Sequence, residues 1–101
     1  MEKLTNKKEY IYYPDGSRKE IFPKNGSYYE LEELQDLVGG YIQLLYSHYD
    51  KNAAMVVNEN GKLYNLPLNL AATEIALTEE MISVLDYIVG NALIINADSI
   101  L

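Results

Sequence analysis

Reactive side chains are scarce in this chain of 101 residues. It has no cysteine and a single histidine, His48. Zinc and iron sites draw on several thiolate or imidazole ligands, so no protein-only site of that kind is expected. Nucleophilic catalysis through histidine would rest on His48 alone, in the polar run Ser47–Asn52, where it reads as a solvated loop residue. Glu32, Glu33 and Asp36 could hold a hard cation, since 32 and 36 share a helical face, but a solvated acidic face is the better explanation. No phosphate loop and no GxGxxG fingerprint is present. The sequence therefore predicts a protein that is not an enzyme and needs no cofactor.

Recognition chemistry is better represented. The chain carries ten tyrosines, one phenylalanine and no tryptophan. A tyrosine ring offers a flat apolar body with a polar tip, which suits interfaces and stacking on planar ligands. Asn58, Asn65, Asn69 and Thr73 group amides and a hydroxyl around the start of a predicted helix, where backbone N–H groups favour anions. Capping and turn formation also explain Asn69.

Charge is unevenly spread. The formal net charge is −7. Residues 1–26 contain six basic and four acidic residues, whereas residues 27–101 contain two basic and eleven acidic. Arg18 and Lys24 are thus the better-placed cations for an anion, and the acidic remainder argues against direct nucleic-acid binding. Those cations also fit a plainer role, guarding a sheet edge.

These residues need elements to position them. Leu31, Leu34, Leu37 and Val38 fall on one helical face, with Glu32, Glu33, Gln35 and Asp36 on the other. Gly39-Gly40 stops that helix. Tyr41–Tyr46 follows as a strand that is apolar on both faces, which predicts a central position. Upstream, residues 9–22 read as a hairpin around Pro14-Asp15-Gly16-Ser17. Ser27 to Glu30 fits a capping box, but the apolar periodicity begins at Leu31, which puts the helix start near Glu30. Downstream, Ala53–Asn58 pairs with Tyr41–Tyr46, Glu59–Lys62 turns, and Leu63–Leu66 forms a short strand. Asn69 caps a helix over Leu70–Leu77, and Thr78 caps a further helical turn. Met81–Leu85 fits more than one type, and Tyr87–Asn96 reads as a buried strand with Gly90 at a bulge or close approach.

The expected fold is α+β: a mostly antiparallel sheet of about five strands with two short helices on one face. The length suits a single domain over residues 1–101, with 1–26 as an N-terminal hairpin segment and 27–101 as the core. No apolar run reaches the ~20 residues of a membrane helix and no signal core follows the start, so a cytoplasmic protein is expected.

LEELQDLVGGYI (31–42), VVNENGKLYNLPLNLAAT (56–73) and DYIVGNALII (86–95) resemble a family of small domains of unknown function encoded by phages and mobile elements. The resemblance implies a phage setting and assigns no catalytic or ligand-binding residue. In that setting the expected activity is sequestration of a small nucleotide-type immune signal, of the cyclic ADP-ribose or cyclic oligonucleotide class, by a homo-oligomer. Tyr12 and Tyr41 would stack, backbone amides at a helix start with Arg18 or Lys24 from a neighbouring copy would hold phosphate, and Asn58, Asn65, Asn69 and Thr73 would supply hydrogen bonds. The alternative expectation is an acidic protein-binding inhibitor of a host defence or nucleic-acid-binding protein.

Overall fold

The computed structural model describes residues 8–100. Pro14 and Gly16 turn the chain sharply between β1 (Glu9–Tyr12) and β2 (Arg18–Ile21). Gly16 has φ 92°, and the Asp15 carboxylate accepts from both the backbone and the hydroxyl of Ser17. The predicted hairpin forms, with Tyr12 paired to Arg18 and Glu9 to Ile21.

The first helix, α1, is Leu31–Val38. Glu30, not Ser27, is its N-cap: the Glu33 carboxylate reaches back to the Glu30 N–H and also accepts from the Lys24 N–H at 2.9 Å. Ser27 belongs instead to a turn in which Asn25 Oδ1 accepts from the Ser27 and Tyr28 amides. Gly39, at φ 79°, ends the helix as expected, and both glycine amides bond the Gln35 carbonyl.

Then come β3 (Ile42–Tyr46), β4 (Ala53–Asn58), α2 (Leu70–Thr78) and β5 (Ala92–Asn96). All strand pairs are antiparallel and the order is β2-β1-β5-β4-β3. The α+β class with a five-stranded antiparallel sheet therefore holds. The helices, however, cover opposite faces, not one. Every residue of β4 is buried, and its side chains alternate between two cores. Val56 joins Ile11, Leu93 and Ile95 beneath Leu34 and Val38 of α1. Met55 and Val57 join Ala92 beneath Ala72 and Ala76 of α2.

The central position belongs to β4 and β5, and β3 lies at the edge. The two apolar faces of β3 arise because α1 covers Ile42 and Leu44 while the α2 side covers Leu45. In α2 the buried stripe is the alanine pair Ala72 and Ala76, spaced i and i+4, which lets the backbone approach the sheet closely. The larger apolar residues at the two ends of α2, Leu70 and Leu77, are exposed at 64% and 37%. Thr78 ends α2 and caps no further turn; Glu80 takes φ 53° and the Met81 amide bonds back to Ala76.

Leu63–Leu66 is not a strand. The amides of Tyr64, Asn65 and Leu66 bond the carbonyls of Asn60, Lys62 and Gly61, so local turns use the groups a ladder would need. The last strand is also shorter than expected. Gly90, at φ 73°, breaks the run, donates to Pro67 and sits so close to Leu66 that a Cβ would come within 2.8 Å of it. Upstream of it Val89 bridges Leu68. No helix among the described residues is long and apolar enough to cross a membrane.

Candidate functional site

Among the described residues, concave regions lie around α1 and the turns after β4. The first is a cleft of about 420 Å³ at the C-terminal end of α1. Gly39 and Gly40 line it, with Tyr41, Tyr64, Asn60 and Asp36 around them. Tyr41 is 67% exposed and Tyr64 62% exposed. Rings left in water at such a site retain their stacking faces for a ligand.

The walls of this cleft are fixed by Asn58, itself buried. Its Nδ2 donates to the Val38 carbonyl at 3.2 Å, and its Oδ1 accepts from the Asn60 amide at 2.8 Å. The Glu59 amide bonds the Tyr41 carbonyl at 2.8 Å. Helix end, strand start and turn are thereby held together. Gly40 lets them meet: a Cβ there would lie 2.8 Å from Asn58 Nδ2.

The second cavity, about 270 Å³, lies on the α2 side of β3 and β4 and is lined by Gln43, Val57, Lys62, Asp86 and Tyr87 among others. Its cation is already engaged. Lys62 pairs with Asp86 and stands 4.4 Å from the centre of the Tyr87 ring. Hydrogen bonds from Lys62 and from the Tyr87 amide hold the Asp86 carboxyl below the usual carboxylate range. The third region, about 450 Å³, runs from Lys24 along the start of α1 and is lined by four carboxylates, Glu30, Glu32, Glu33 and Asp36. Among the described residues no group of three or more His, Asp or Glu is arranged to hold a metal ion. His48 is exposed, with its ring edge against Tyr49.

The eight sequence-predicted site residues divide between these regions and the fold itself. Tyr12, Arg18, Asn69 and Thr73 do come together, but as structure. Asn69 is fully buried. Its Nδ2 donates to the carbonyls of Tyr12 and Gly90, at 3.0 and 2.9 Å, while its Oδ1 caps α2 at the Ala72 amide. Thr73 Oγ1 donates to the Asn69 carbonyl and accepts from the Ile88 amide. Arg18 bonds the Tyr12 hydroxyl at 3.3 Å and lies 4.2 Å from the centre of the Tyr10 ring. The amide-rich start of α2 is thus occupied by its own cap.

Lys24 faces the acidic groove, where an anion would be repelled. Asn65 is an exposed turn residue at φ 55°. Tyr41 and Asn58 do meet, one as wall and one as support. Arg18 and Tyr41 cannot share a ligand within one chain, because β2 and β3 form opposite edges of the sheet. Tyr64 and Asn60 also line the cleft and are not among the residues the sequence singles out. Asn60-Gly61 already marked a turn, but assigning Leu63–Leu66 to a strand hid an exposed ring at its tip.

No curated protein matches the chain, and no solved structure does. A family match is found, and it is wider than the core segments singled out in the sequence: it takes in the N-terminal hairpin and ends in a 3-10 turn, Ala97–Ser99. Residues 10–99 match the domain of unknown function DUF3846, and the chain belongs to that family.

Proposed function

We propose that this domain is a non-enzymatic binding protein that captures a planar, nucleobase-bearing ligand between Tyr41 and Tyr64. The carrying observation is the pair of exposed rings flanking a glycine-lined cleft whose walls Asn58 holds in place. Stacking on a tyrosine contributes ~1–3 kcal/mol per base and tolerates different bases. The amides of Asn60 and Gln35 at the cleft offer donors and acceptors for base edges. Asp36 is the one charged side chain lining it, so any phosphate of the ligand points away from α1 toward solvent.

In a phage or mobile-element setting such a cleft would serve as an anti-defence sponge, withdrawing a cyclic ADP-ribose-type or cyclic oligonucleotide signal without turning it over. Isothermal titration of the protein against cyclic ADP-ribose isomers and cyclic dinucleotides tests this. Heat that is lost in Tyr64→Ala, with the ligand recovered chemically intact, supports the reading. Absence of heat with every member removes it.

A second reading, an acidic inhibitor that binds a basic host protein, is favoured by the groove of four carboxylates around Leu31, which is 56% exposed. Salt-sensitive capture of a basic partner, weakened by Glu32→Lys, distinguishes it from ligand capture.

A further inference from the structure

The two edges of the sheet are built differently. At one edge β2 reads Arg-Lys-Glu-Ile, with Arg18 and Lys19 exposed. Charged side chains of this kind keep an edge from pairing with another chain. At the other edge β3 reads Ile-Gln-Leu-Leu-Tyr. From Gly39 to Tyr49 there is no Asp, Glu, Lys or Arg and no proline. The β3–β4 ladder runs without a bulge, residue for residue, from Ile42↔Asn58 to Tyr46↔Ala54. Among the described residues this edge carries no charge, proline or bulge to protect it.

The direction of its free backbone groups follows from the ladder. The Glu59 amide bonds the Tyr41 carbonyl and the Ser47 amide bonds the Ala53 carbonyl. Odd-numbered residues of this strand therefore face β4, and in an antiparallel pair the alternate residues face away. The N–H and C=O groups of Ile42, Leu44 and Tyr46 point outward from the sheet.

We propose that β3 is the seam of a two-fold homodimer, pairing antiparallel with β3 of a second copy about Leu44. That register sets Leu44 against itself and Ile42 against the second copy's Tyr46, with reciprocal main-chain hydrogen bonds at each pair. On the α1 side the seam becomes a continuous stripe of Ile42, Leu44 and Tyr46 from both copies. This covers Tyr46, which is 52% exposed in the single chain. On the α2 side Gln43 meets Leu45. A second copy is the fitting occupant because the strand is self-complementary in pattern and uncharged. Each chain has a net charge of −7, so only a seam free of charge lets two copies approach, and added salt tightens the pair by screening the rest. The same register sets the second copy's Ser47 opposite Tyr41, at the rim of the aromatic cleft, so that the rim is built by two chains. The dimer deepens the oligomeric part of the reading above and is independent of its ligand.

Light scattering of the full chain without ligand tests it. The expected mass is twice 11.5 kDa, falling to the single-chain mass in Tyr46→Lys and in Gln43→Lys, both changes at exposed side chains that leave circular dichroism unchanged. The chain has no cysteine, so a single introduced one reports register. Leu44→Cys should oxidise to a disulfide dimer, since directly paired residues have Cα atoms about 5.5 Å apart, within disulfide reach. Tyr46→Cys should not, because its counterpart is then several residues away. A wild-type monomer at all concentrations, or a dimer untouched by both lysine changes, overturns the proposal. Ligand binding that fails while the dimer persists removes the nucleotide reading alone.

Discussion

Two clusters of polar and aromatic residues, one around Asn69 and one around Tyr41, use similar side chains to opposite ends. Around Asn69, every side-chain polar atom is committed. The amide spans the Tyr12 and Gly90 carbonyls and the start of α2, and Thr73 closes the circuit to Ile88. Around Tyr41, Asn58 is committed in the same way, to Val38 and Asn60, but it holds up two rings that contact mostly solvent. The difference is one of vacancy. A buried amide with all its partners stabilises the fold and has nothing left for a ligand. An exposed ring on a rigid support contributes little to stability and remains free to bind.

The comparison breaks most visibly at Asn69. Asn69→Ala removes the helix cap, which costs about 1 kcal/mol, and takes this donor from the buried Gly90 carbonyl and the partly buried Tyr12 carbonyl. Urea denaturation should show a loss of about 3 kcal/mol, while the folded fraction binds ligand with unchanged affinity. Reduced affinity without reduced stability would place Asn69 in the site.

The converse holds for the cleft. Tyr64→Ala should leave stability within about 0.5 kcal/mol of wild type and weaken ligand binding by ~1–3 kcal/mol, read by titration. Gly40→Ala probes the link between support and site. Its new methyl must displace the Asn58 amide, so stability should fall by about 1–3 kcal/mol and ligand affinity should fall with it.

Tyr29 is the buried counterpart of these exposed rings. It is 1% exposed and donates to the Glu9 carboxylate at 3.1 Å. Burial, followed by the charges of Glu9 and Glu33, pushes its phenol far above the ordinary tyrosine range. Its folded pKa exceeds the unfolded value of about 10, so its contribution is complete below that pH and is lost as pH rises above it. Alkaline titration of stability should fall above about pH 10, with a shallower fall in Tyr29→Phe.

The smallest effect belongs to Asp86. Its carboxyl is held low by Lys62 and the Tyr87 amide, so its contribution is present above the unfolded value of about 3.9 and fades as pH falls through the lower folded one. The pair is partly exposed, and Asp86→Asn should cost less than about 1 kcal/mol in chemical denaturation at neutral pH.

Much of the fold was legible because local signals and tertiary demands agree. The Pro14–Ser17 turn, the periodic face of α1, the Gly39 stop and the Asn69 cap each act within a few residues, and each forms where the sequence places it. The sheet order was not legible. An apolar strand covered by helices on both faces, such as β3, reads like a central one, and only the ladder reveals the edge. Helix placement failed for a related reason: Ala72 and Ala76 give a weak amphipathic signal although both are fully buried. Of the site, Tyr41 and Asn58 were identifiable by type. Tyr64 was not, because Leu63-Tyr64 has strand propensity and the turn is set by backbone bonds to Asn60, Gly61 and Lys62. Asn69 and Thr73 read as ligand residues because amide and hydroxyl groups look alike in sequence whether spent or free.

The most direct test follows the tyrosine ring resonances by NMR as a cyclic ADP-ribose-type ligand is added. Capture in the cleft predicts ring-current shifts at Tyr41 and Tyr64 that saturate together, with Tyr12 and Tyr29 unmoved. Saturating shifts at Tyr12 with Tyr41 and Tyr64 silent would contradict it.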